Sequence, residues 1–410
     1  MRVTNETVFD YVLVGGGLQA GLLVLSIKHE QPGAKILVIE RGEKYGGNHT
    51  WSFHRSDIPV EAEGWLCSLP TVDWSSYQVC FPGFQSKVGL PYSSTTSELL
   101  GRAVKSLLAE EGSRLLLNAE VVSARFNEVK TADGSHFVAR CVIDCRGQHG
   151  TSNDKEPSSI RCKLGYQKFY GAEIELESDW PTSSPTLMDA RVDQTDGFHF
   201  IYVLPFTRRR VLVEDTWFSD TPDLDYDASA KRLRGYIERH TQAKWNVARL
   251  ERGCLPMPLQ GAMPEPPVQK GPNVVKGGYA GGWFHAATGY SFPLAVKFAT
   301  AVAAVEPEQA CISVERLLAD NHFQLRFARF LNRLLFRLVR PEARWQIFRR
   351  LYRSLPPETL ARFYSHDFSG MDALRMIIGF PPTKLSPLKF LRGIREDQKS
   401  LKSSPVEIGT

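Results

Sequence analysis

The chain has 410 residues, of which 42% are hydrophobic and 23% charged, and a net charge of +5. That length predicts two or three structural units, and the composition excludes disorder, collagen and coiled coil for the chain as a whole. The charge bias is too weak to argue for nucleic-acid binding. Seven cysteines without a C-x-x-C pair read as reduced thiols of a cytosolic protein, not as a disulfide framework or zinc site. The apolar, uncharged run 11–27 is short for a membrane span and is broken by Gly15, Gly16, Gly17 and Gly21. Only Arg2 precedes it and no A-x-A site follows, so neither a secretion signal nor a membrane-spanning helix is expected.

Residues 8–14 form a short apolar run ending in glycines. The helical pattern of Leu18, Leu22, Leu25 and Ser26 follows, and a second apolar run, 35–39, ends at Glu40. Strand, tight turn, helix and strand make one βαβ unit. A Gly/Asn/His/Trp-rich segment, 46–54, comes next, and 57–91 predicts irregular loops and short strands. Residues 94–111 predict a helix with a Ser/Thr cap. Residues 114–118, 121–127, 137–139 and 141–144 are strand-like, with a turn at Asp133-Gly134. Residues 198–204 and 210–216 have strong β-propensity and predict a hairpin or closely paired strands. Residues 227–241 predict a helix, the proline-rich 255–272 an extended connector, and Val274-Val275 a short strand. Residues 293–305 predict a buried, alanine-rich helix and 314 to about 353 a strongly basic helical region. The polar end, from about 396, is expected to fray.

Gly15-Gly16-Gly17-Leu18-Gln19-Ala20 is a G-x-G-x-x-A match that follows a predicted strand and opens a predicted helix. Gly15 permits the tight turn, Gly17 lets the backbone approach a pyrophosphate, and Ala20 keeps the helix close to the sheet. Phosphates would sit at the helix N-terminus, where unpaired N–H groups and the dipole attract negative charge. Glu40 at the end of the second strand can accept hydrogen bonds from ribose hydroxyls and repels a 2′-phosphate, which favours FAD or NAD over NADP. A ligand-free turn is the plain alternative, but three adjacent glycines are a costly way to make one.

A second glycine cluster, Gly277-Gly278-Tyr279-Ala280-Gly281-Gly282, stands before the 293–305 helix. Val142-Ile143-Asp144-Cys145-Arg146-Gly147 reads as a strand end passing near a cofactor. Three separated elements converging on one long cofactor argue for FAD, with Asp144, Gly147, Gly281 and Gly282 among its contacts.

At G-G-N-H-T-W-S-F-H, residues 46–54, the sequence resembles the bacterial lycopene β-cyclases. Y-S-S-T-T-S (92–97), L-V-E-D-T (212–216), G-G-W-F-H-A-A-T-G-Y-S (281–291), A-R-F-Y (361–364) and G-F-P-P (379–382) extend the resemblance over nearly the whole chain. It departs from the family pattern at Ala286, where proline is usual, and at Phe380, where a basic residue is usual. The resemblance implies an α/β protein: a Rossmann-type FAD-binding domain interleaved with an α+β substrate domain, as in aromatic hydroxylases and geranylgeranyl reductases. It implies an isomerase that closes the ψ-ends of lycopene to β-rings, giving γ-carotene and then β-carotene. That reaction has no net redox change, yet the family uses reduced FAD, with NAD(P)H as the electron source. Gly47, Thr288 and Gly289 join the implied cofactor contacts.

Such a cyclisation begins with a proton delivered to C2. The C5=C6 bond attacks the tertiary cation at C1, and loss of a proton from C6 gives the β-ring. The acid must stay protonated near neutral pH. The resemblance places that role on Glu214. Side chains alternate on a strand, so Leu212, Glu214 and Thr216 share one face while Val213 and Asp215 share the other. An apolar wall would raise the pKa of Glu214 by disfavouring its charged form. From the residues alone, an exposed carboxylate paired with Arg208 or Arg210 competes with this reading. Asp215 is expected in a structural role.

His49 and His54 lack metal-ligand spacing and read as loop hydrogen-bonders near the cofactor, so no metal is expected. Trp51, Phe53, Trp283, Phe284 and Tyr290 are candidates for lining a polyene tunnel, or else plain core. His285 either contacts flavin or substrate or is a satisfied core histidine.

Arg326, Arg329, Arg333, Arg337, Arg340 and Arg344 recur at three- and four-residue spacing, with phenylalanines and leucines on other faces. This predicts a basic amphipathic helix. Lycopene resides in bilayers, so peripheral attachment at the cytoplasmic face of the cell membrane is expected; a solvated arginine stripe is the alternative. No nucleic-acid module accompanies the arginines. The expected division is 1–56 and 94–150 for the FAD domain, with its flavin-side return at 271–310. Residues 57–93 and 151–270 are expected in the substrate domain, 311–395 in a basic helical region, and 396–410 in a flexible tail. Two rivals remain on the same fold: a FAD-dependent monooxygenase or prenyl/carotenoid reductase, and a carotenoid carrier without chemistry.

Overall fold

The computed structural model describes residues 8–147, 164–259 and 274–378. The G-F-P-P block, the polar tail and most of the 255–272 stretch lie outside the described residues. The βαβ unit is the seed of a seven-stranded sheet. Val8–Val14 lies parallel to Ile36–Ile39 on one side and to His136–Asp144 on the other. Arg114–Leu116 extends the parallel set beyond Ile36–Ile39, and Val275–Lys276 pairs parallel with the end of His136–Asp144. Tyr11, Val12, Leu13 and all of Ile36–Ile39 are buried, as befits parallel strands covered on both faces. The helix Leu18–Glu30 is buried nearly all round and packs against Phe292–Ala303 and Ser97–Leu108. A β-carbon at Gly21 would come within 2.8 Å of Leu100, so this crossing needs glycine.

A second sheet runs in the order Trp245–Pro258, Leu164–Leu176, Arg210–Ser219, Phe198–Pro205, Thr186–Asp189, Tyr77–Phe81 and Phe84–Val88. The expected pairing of the 198 and 210 strands is there, antiparallel over Phe198–Pro205. One face packs through Val211 and Val213 against Leu233 and Ile237 of the helix Tyr226–His240. The other turns Leu212 and Phe218 toward Phe348 and Tyr352 of the C-terminal helices. A small third sheet joins Thr50–His54, Tyr92–Thr96 and Val72–Trp74.

Three local expectations are corrected. The helix expected from residue 94 starts at Ser97, because Tyr92–Thr96 pairs with two strands before Thr96 caps the helix by accepting from the Leu99 N–H. The expected connector begins inside a strand: Trp245–Pro258 pairs along the whole of Leu164–Leu176, and Pro256 and Pro258 are tolerated because this strand is an edge. The basic region is several helices, not one. Ala310–Asp320, His322–Arg333, a π-helical turn at Leu334–Leu338 and Trp345–Ser354 follow one another, with Pro341 interrupting. Arg344 leaves the expected stripe altogether. Its guanidinium is buried, bonds the Asp220 carboxylate at 2.8 and 2.9 Å, and lies 4.6 Å from the Phe336 ring centre.

Candidate active site

A cavity of about 720 Å³ opens at the glycine turn and extends to the open face of the second sheet. Its first half is made of backbone. Gly15 has φ +96° and donates its N–H to Ile39 at 2.7 Å, and a β-carbon there would sit 3.2 Å from the backbone of Cys145 and Arg146. Gly17 opens the helix Leu18–Glu30 without a side-chain cap, so first-turn amides remain open at the cavity, and a β-carbon at Gly17 would meet no atom within 4 Å. Glu40 also lines the cavity. Its two oxygens accept from the N–H groups of Gly16 (2.6 Å) and Gly42 (2.7 Å), which staples the turn to the end of the second strand. The helix Phe292–Ala303 likewise begins at the cavity without a side-chain cap, at Ser291. Gln19, a variable position of the fingerprint, ties the two helix starts together by donating to the Ala295 carbonyl and accepting from the Gly278 N–H.

The second half is made of side chains. Paired across neighbouring strands, Tyr202, Glu214, Gly171 and Glu251 form one row of the sheet. Glu214 is only 9% exposed, lines the cavity, and accepts from the Thr216 hydroxyl at 2.6 Å. Burial, and then the charge of Glu251, hold its carboxyl well above the ordinary carboxylate range. The competing arginines are engaged elsewhere: Arg210 with Glu173, Arg208 with Asp179. Asp215 points to the opposite face, as strand alternation requires. There it is fully buried, bonded to His199 and to the Arg232 guanidinium of the helix behind the sheet, in a structural position.

With this geometry in hand, comparison with known proteins is decisive for the family. The family model described as lycopene cyclase protein matches residues 10–389. The chain belongs to the lycopene cyclase family. It is 37% identical over 383 residues to the lycopene beta-cyclase of Pseudescherichia vulneris, covering 92% of this chain and 95% of that protein. It is 34% identical over 377 residues to the lycopene beta-cyclase of Pantoea ananas, covering 91% and 95%. Among solved structures, a geranylgeranyl bacteriochlorophyll reductase-like protein from Thermoplasma acidophilum matches with a TM-score of 0.65 at 13% identity, over 96% of this chain and 100% of that one. A probable FAD-dependent monooxygenase from Pseudomonas aeruginosa matches with a TM-score of 0.57 at 15% identity, over 82% and 98%. These likenesses are of fold, and the fold is the expected α/β flavoprotein architecture.

In this cyclase-family chain the other expected site residues divide into two groups. Gly47, Gly147, Thr288 and Gly289 line the cavity, as do Trp51, Trp283 and Tyr290. Ala20 lies beneath the turn, fully buried. Asp144 does not line the cavity; its carboxylate forks onto Arg146, and its carbonyl accepts from Gly277. Gly281 and Gly282 shape the late turn from below, donating to the Gly277 and Tyr279 carbonyls. Two proposed tunnel residues, Phe53 and Phe284, are core instead, and of the two roles open to His285 the structure shows the core one. Phe53 stacks on Phe292 at 4.0 Å, and Phe284 stacks on Tyr279 at 4.5 Å. His285 is fully buried, its Nε2 against the Phe363 carbonyl and its Nδ1 accepting from the Ala287 N–H. Burial lowers its pKa to about 3, so it is a neutral, satisfied core histidine.

Glu251, Gly171 and Asp57 were not anticipated, whereas His54 and Tyr290 stand where they were expected. Glu251 and Gly171 sit on the edge strand hidden by prolines and on its neighbour. Their only sequence signal is register, which a single chain does not reveal. His54 lines the cavity beside buried Asp57, and the Tyr290 hydroxyl bridges the pair by accepting from the His54 N–H and donating to Asp57.

Proposed function

We infer that this chain is a lycopene β-cyclase, closing ψ-ends to β-rings through γ-carotene to β-carotene without net redox change. The observation that carries the reading is Glu214: a buried carboxyl whose pKa its surroundings push up, on the wall of a cavity continuous with a dinucleotide turn. FAD suits that turn because two uncapped helix N-termini face one cavity and the space beyond Gly17 is open. Gly15, Gly16 and Gly17 would hold the pyrophosphate. Glu40 would meet a ribose with the lone pairs left over from Gly16 and Gly42, and Gly47, Gly147, Thr288 and Gly289 would lie along the remainder. Reduced FAD, when bound, supplies an electron-rich face beside cationic carbon, with NAD(P)H as the reductant that keeps it so.

The chain's own residues do the rest. Glu214 hands its proton to C2, and general acid catalysis of this kind contributes about 10²–10⁴-fold. Phe169, Phe200 and Phe218 line the same end of the cavity. Their faces stabilise the cations at C1 and C5 by about 0.5–2 kcal/mol per contact, and the apolar wall keeps water from trapping them.

Substrate would arrive from a bilayer. No helix among the described residues is long and apolar enough to cross a membrane. Peripheral attachment is supported by Phe323, Met371, Leu374 and Ile378, all exposed near Arg326 and Arg375. The described cysteines are free thiols, consistent with the cytoplasmic face.

The test is anaerobic turnover of dithionite-reduced enzyme with lycopene in liposomes. Many β-carotene molecules per flavin, without NAD(P)H consumption, are expected. One product per reduced flavin, or an oxidised or hydrogenated carotenoid, would overturn the reading in favour of a monooxygenase or reductase.

A further inference from the structure

Strands in a sheet lie about 4.8 Å apart, so Glu214 and Glu251, two strands apart, are separated by about 10 Å at their backbones. An ordinary side chain on the strand between them would keep their carboxyls apart. Gly171 stands there instead. A β-carbon at Gly171 would lie 3.1 Å from Cγ of Glu251 and 3.4 Å from Cβ and Cγ of Glu214. The two side chains lean together over the glycine and share a hydrogen bond.

They are not equivalent. Oε2 of Glu251 accepts from the Arg249 guanidinium at 2.9 Å and from the Thr50 hydroxyl at 3.1 Å. Arg249 is itself held by Glu173, Thr50 and Asn48. Among the described residues no cation pairs with Glu214. Glu251 is therefore the anion of the pair, and Glu214 holds the proton and donates it to Glu251. Both line the cavity.

We propose that Glu251 is the base that removes the C6 proton, paired with the acid Glu214 across Gly171; this rests on the cyclase reading above. The reaction asks for an acid and a base side by side, because C2 and C6 are both bonded to C1 in the closing ring. The O–H bond of Glu214 breaks as the C1=C2 electrons form the new C2–H bond. The C5=C6 electrons then form the C1–C6 bond and leave the cation at C5. The C6–H bond breaks, its electrons restore C5=C6, and its proton goes to Glu251. Passage of that proton to Glu214 along their shared hydrogen bond returns the pair to its starting state, with no electrons gained or lost. The C5 cation could equally lose a proton from C4 or from its methyl group, each giving a different ring. A fixed carboxylate near C6 is what selects the β-ring.

Glu251→Gln keeps the shape and removes the base. With flavin absorbance confirming cofactor loading, product analysis should show β-rings reduced by about 10²-fold or more. The residual rings should carry displaced double bonds, at C4 or exocyclic. Glu251→Asp, which keeps a carboxylate, should restore β-rings at least about tenfold over the glutamine variant. β-Carotene as the sole cyclic product of Glu251→Gln, within about threefold of the wild-type rate, would overturn the proposal. So would an aspartate variant no better than the glutamine one when both bind flavin. A wild-type enzyme that leaves lycopene open would sink the cyclase reading itself, a separate failure.

Discussion

The two ends of the cavity are built from different material. At the glycine turn the groups facing the cavity are main-chain amides, and side chains matter mainly by being absent or by stapling the backbone, as Glu40 does to Gly16 and Gly42. At the sheet end the backbone is already spent on its ladder, and the cavity meets carboxyls, hydroxyls and rings. The first arrangement suits a ligand held by charge and shape. The second suits proton transfer, which needs a titratable group of tuned pKa at one position. The two ends should therefore fail in different ways when altered.

The largest separation is expected at the sheet end. Glu214→Gln should bind FAD with an unchanged flavin spectrum and lose cyclisation by about 10²–10⁴-fold, the usual worth of a general acid. Substantial activity remaining in that variant would move the acid elsewhere. Gly17→Val is the mirror experiment. A β-carbon at Gly17 meets no protein atom within 4 Å, so the variant should fold, with the melting temperature of flavin-free wild type. Its side chain would occupy the space a pyrophosphate needs, and purified protein should carry about tenfold less flavin or none. A yellow Gly17→Val protein would break the contrast between the two ends.

This division also explains what was legible in the sequence. Backbone sites leave local marks: the strand Val8–Val14, the G-x-G-x-x-A spacing after it and Glu40 lie within 33 consecutive residues. They gave the turn, the helix and the parallel pairing correctly. Strand alternation likewise separated Glu214 from Asp215. Side-chain sites assembled across strands leave no such mark. Glu251 lies 37 residues from Glu214, and Gly171 lies 43 residues before it; only the pairing register brings them into one row. The aromatic block around residues 281–291 misled for a related reason. Trp283 and Tyr290 reach the cavity while Phe284 and His285, their neighbours in sequence, turn into the core, because the segment is a series of turns without a fixed period. The arginine stripe failed through a long-range partner: Asp220, far away in sequence, draws Arg344 inside.

Gly171→Ala tests the sheet end more gently. The added methyl would press 3.1 Å from Glu251 and 3.4 Å from Glu214, forcing the carboxyls apart. Around them stand Arg249 and Thr50 on the Glu251 side and Thr216 and Tyr202 on the Glu214 side, with the Asp215 charge on the far face of the sheet. Burial raises the pKa of Glu214 first and the Glu251 charge raises it further, so separation removes part of the upward shift. The active form is the protonated acid, present below its pKa and lost as pH rises through it. The alkaline limb of the pH–rate profile should therefore move to lower pH, with a rate loss of about ten- to a hundredfold from misplacement. A pH profile superimposable on wild type would mean that the pair is not coupled through this gap.

The smallest effect is expected outside the cavity. The helix Gly370–Ile377 buries Ala373 and Met376, yet Met371 and Leu374 stand 58% and 50% exposed on its outer side. A helix apolar on both faces ordinarily has something against each. Phe323 on a neighbouring helix approaches Phe368, just before this one, at 5.9 Å, so the exposed rings and chains share one end of the molecule. Insertion of two half-exposed apolar side chains into a lipid surface contributes about 1 kcal/mol each, or roughly fivefold in partitioning. Changing Met371 and Leu374 to serine together should lower flotation with anionic liposomes by about an order of magnitude while leaving the flavin spectrum unchanged. Added salt should weaken the contribution of Arg326 and Arg375 but not this apolar one, because screening acts on charge alone. Flotation that vanishes in salt and ignores the two serines would assign attachment to the arginines and leave the apolar patch to another partner.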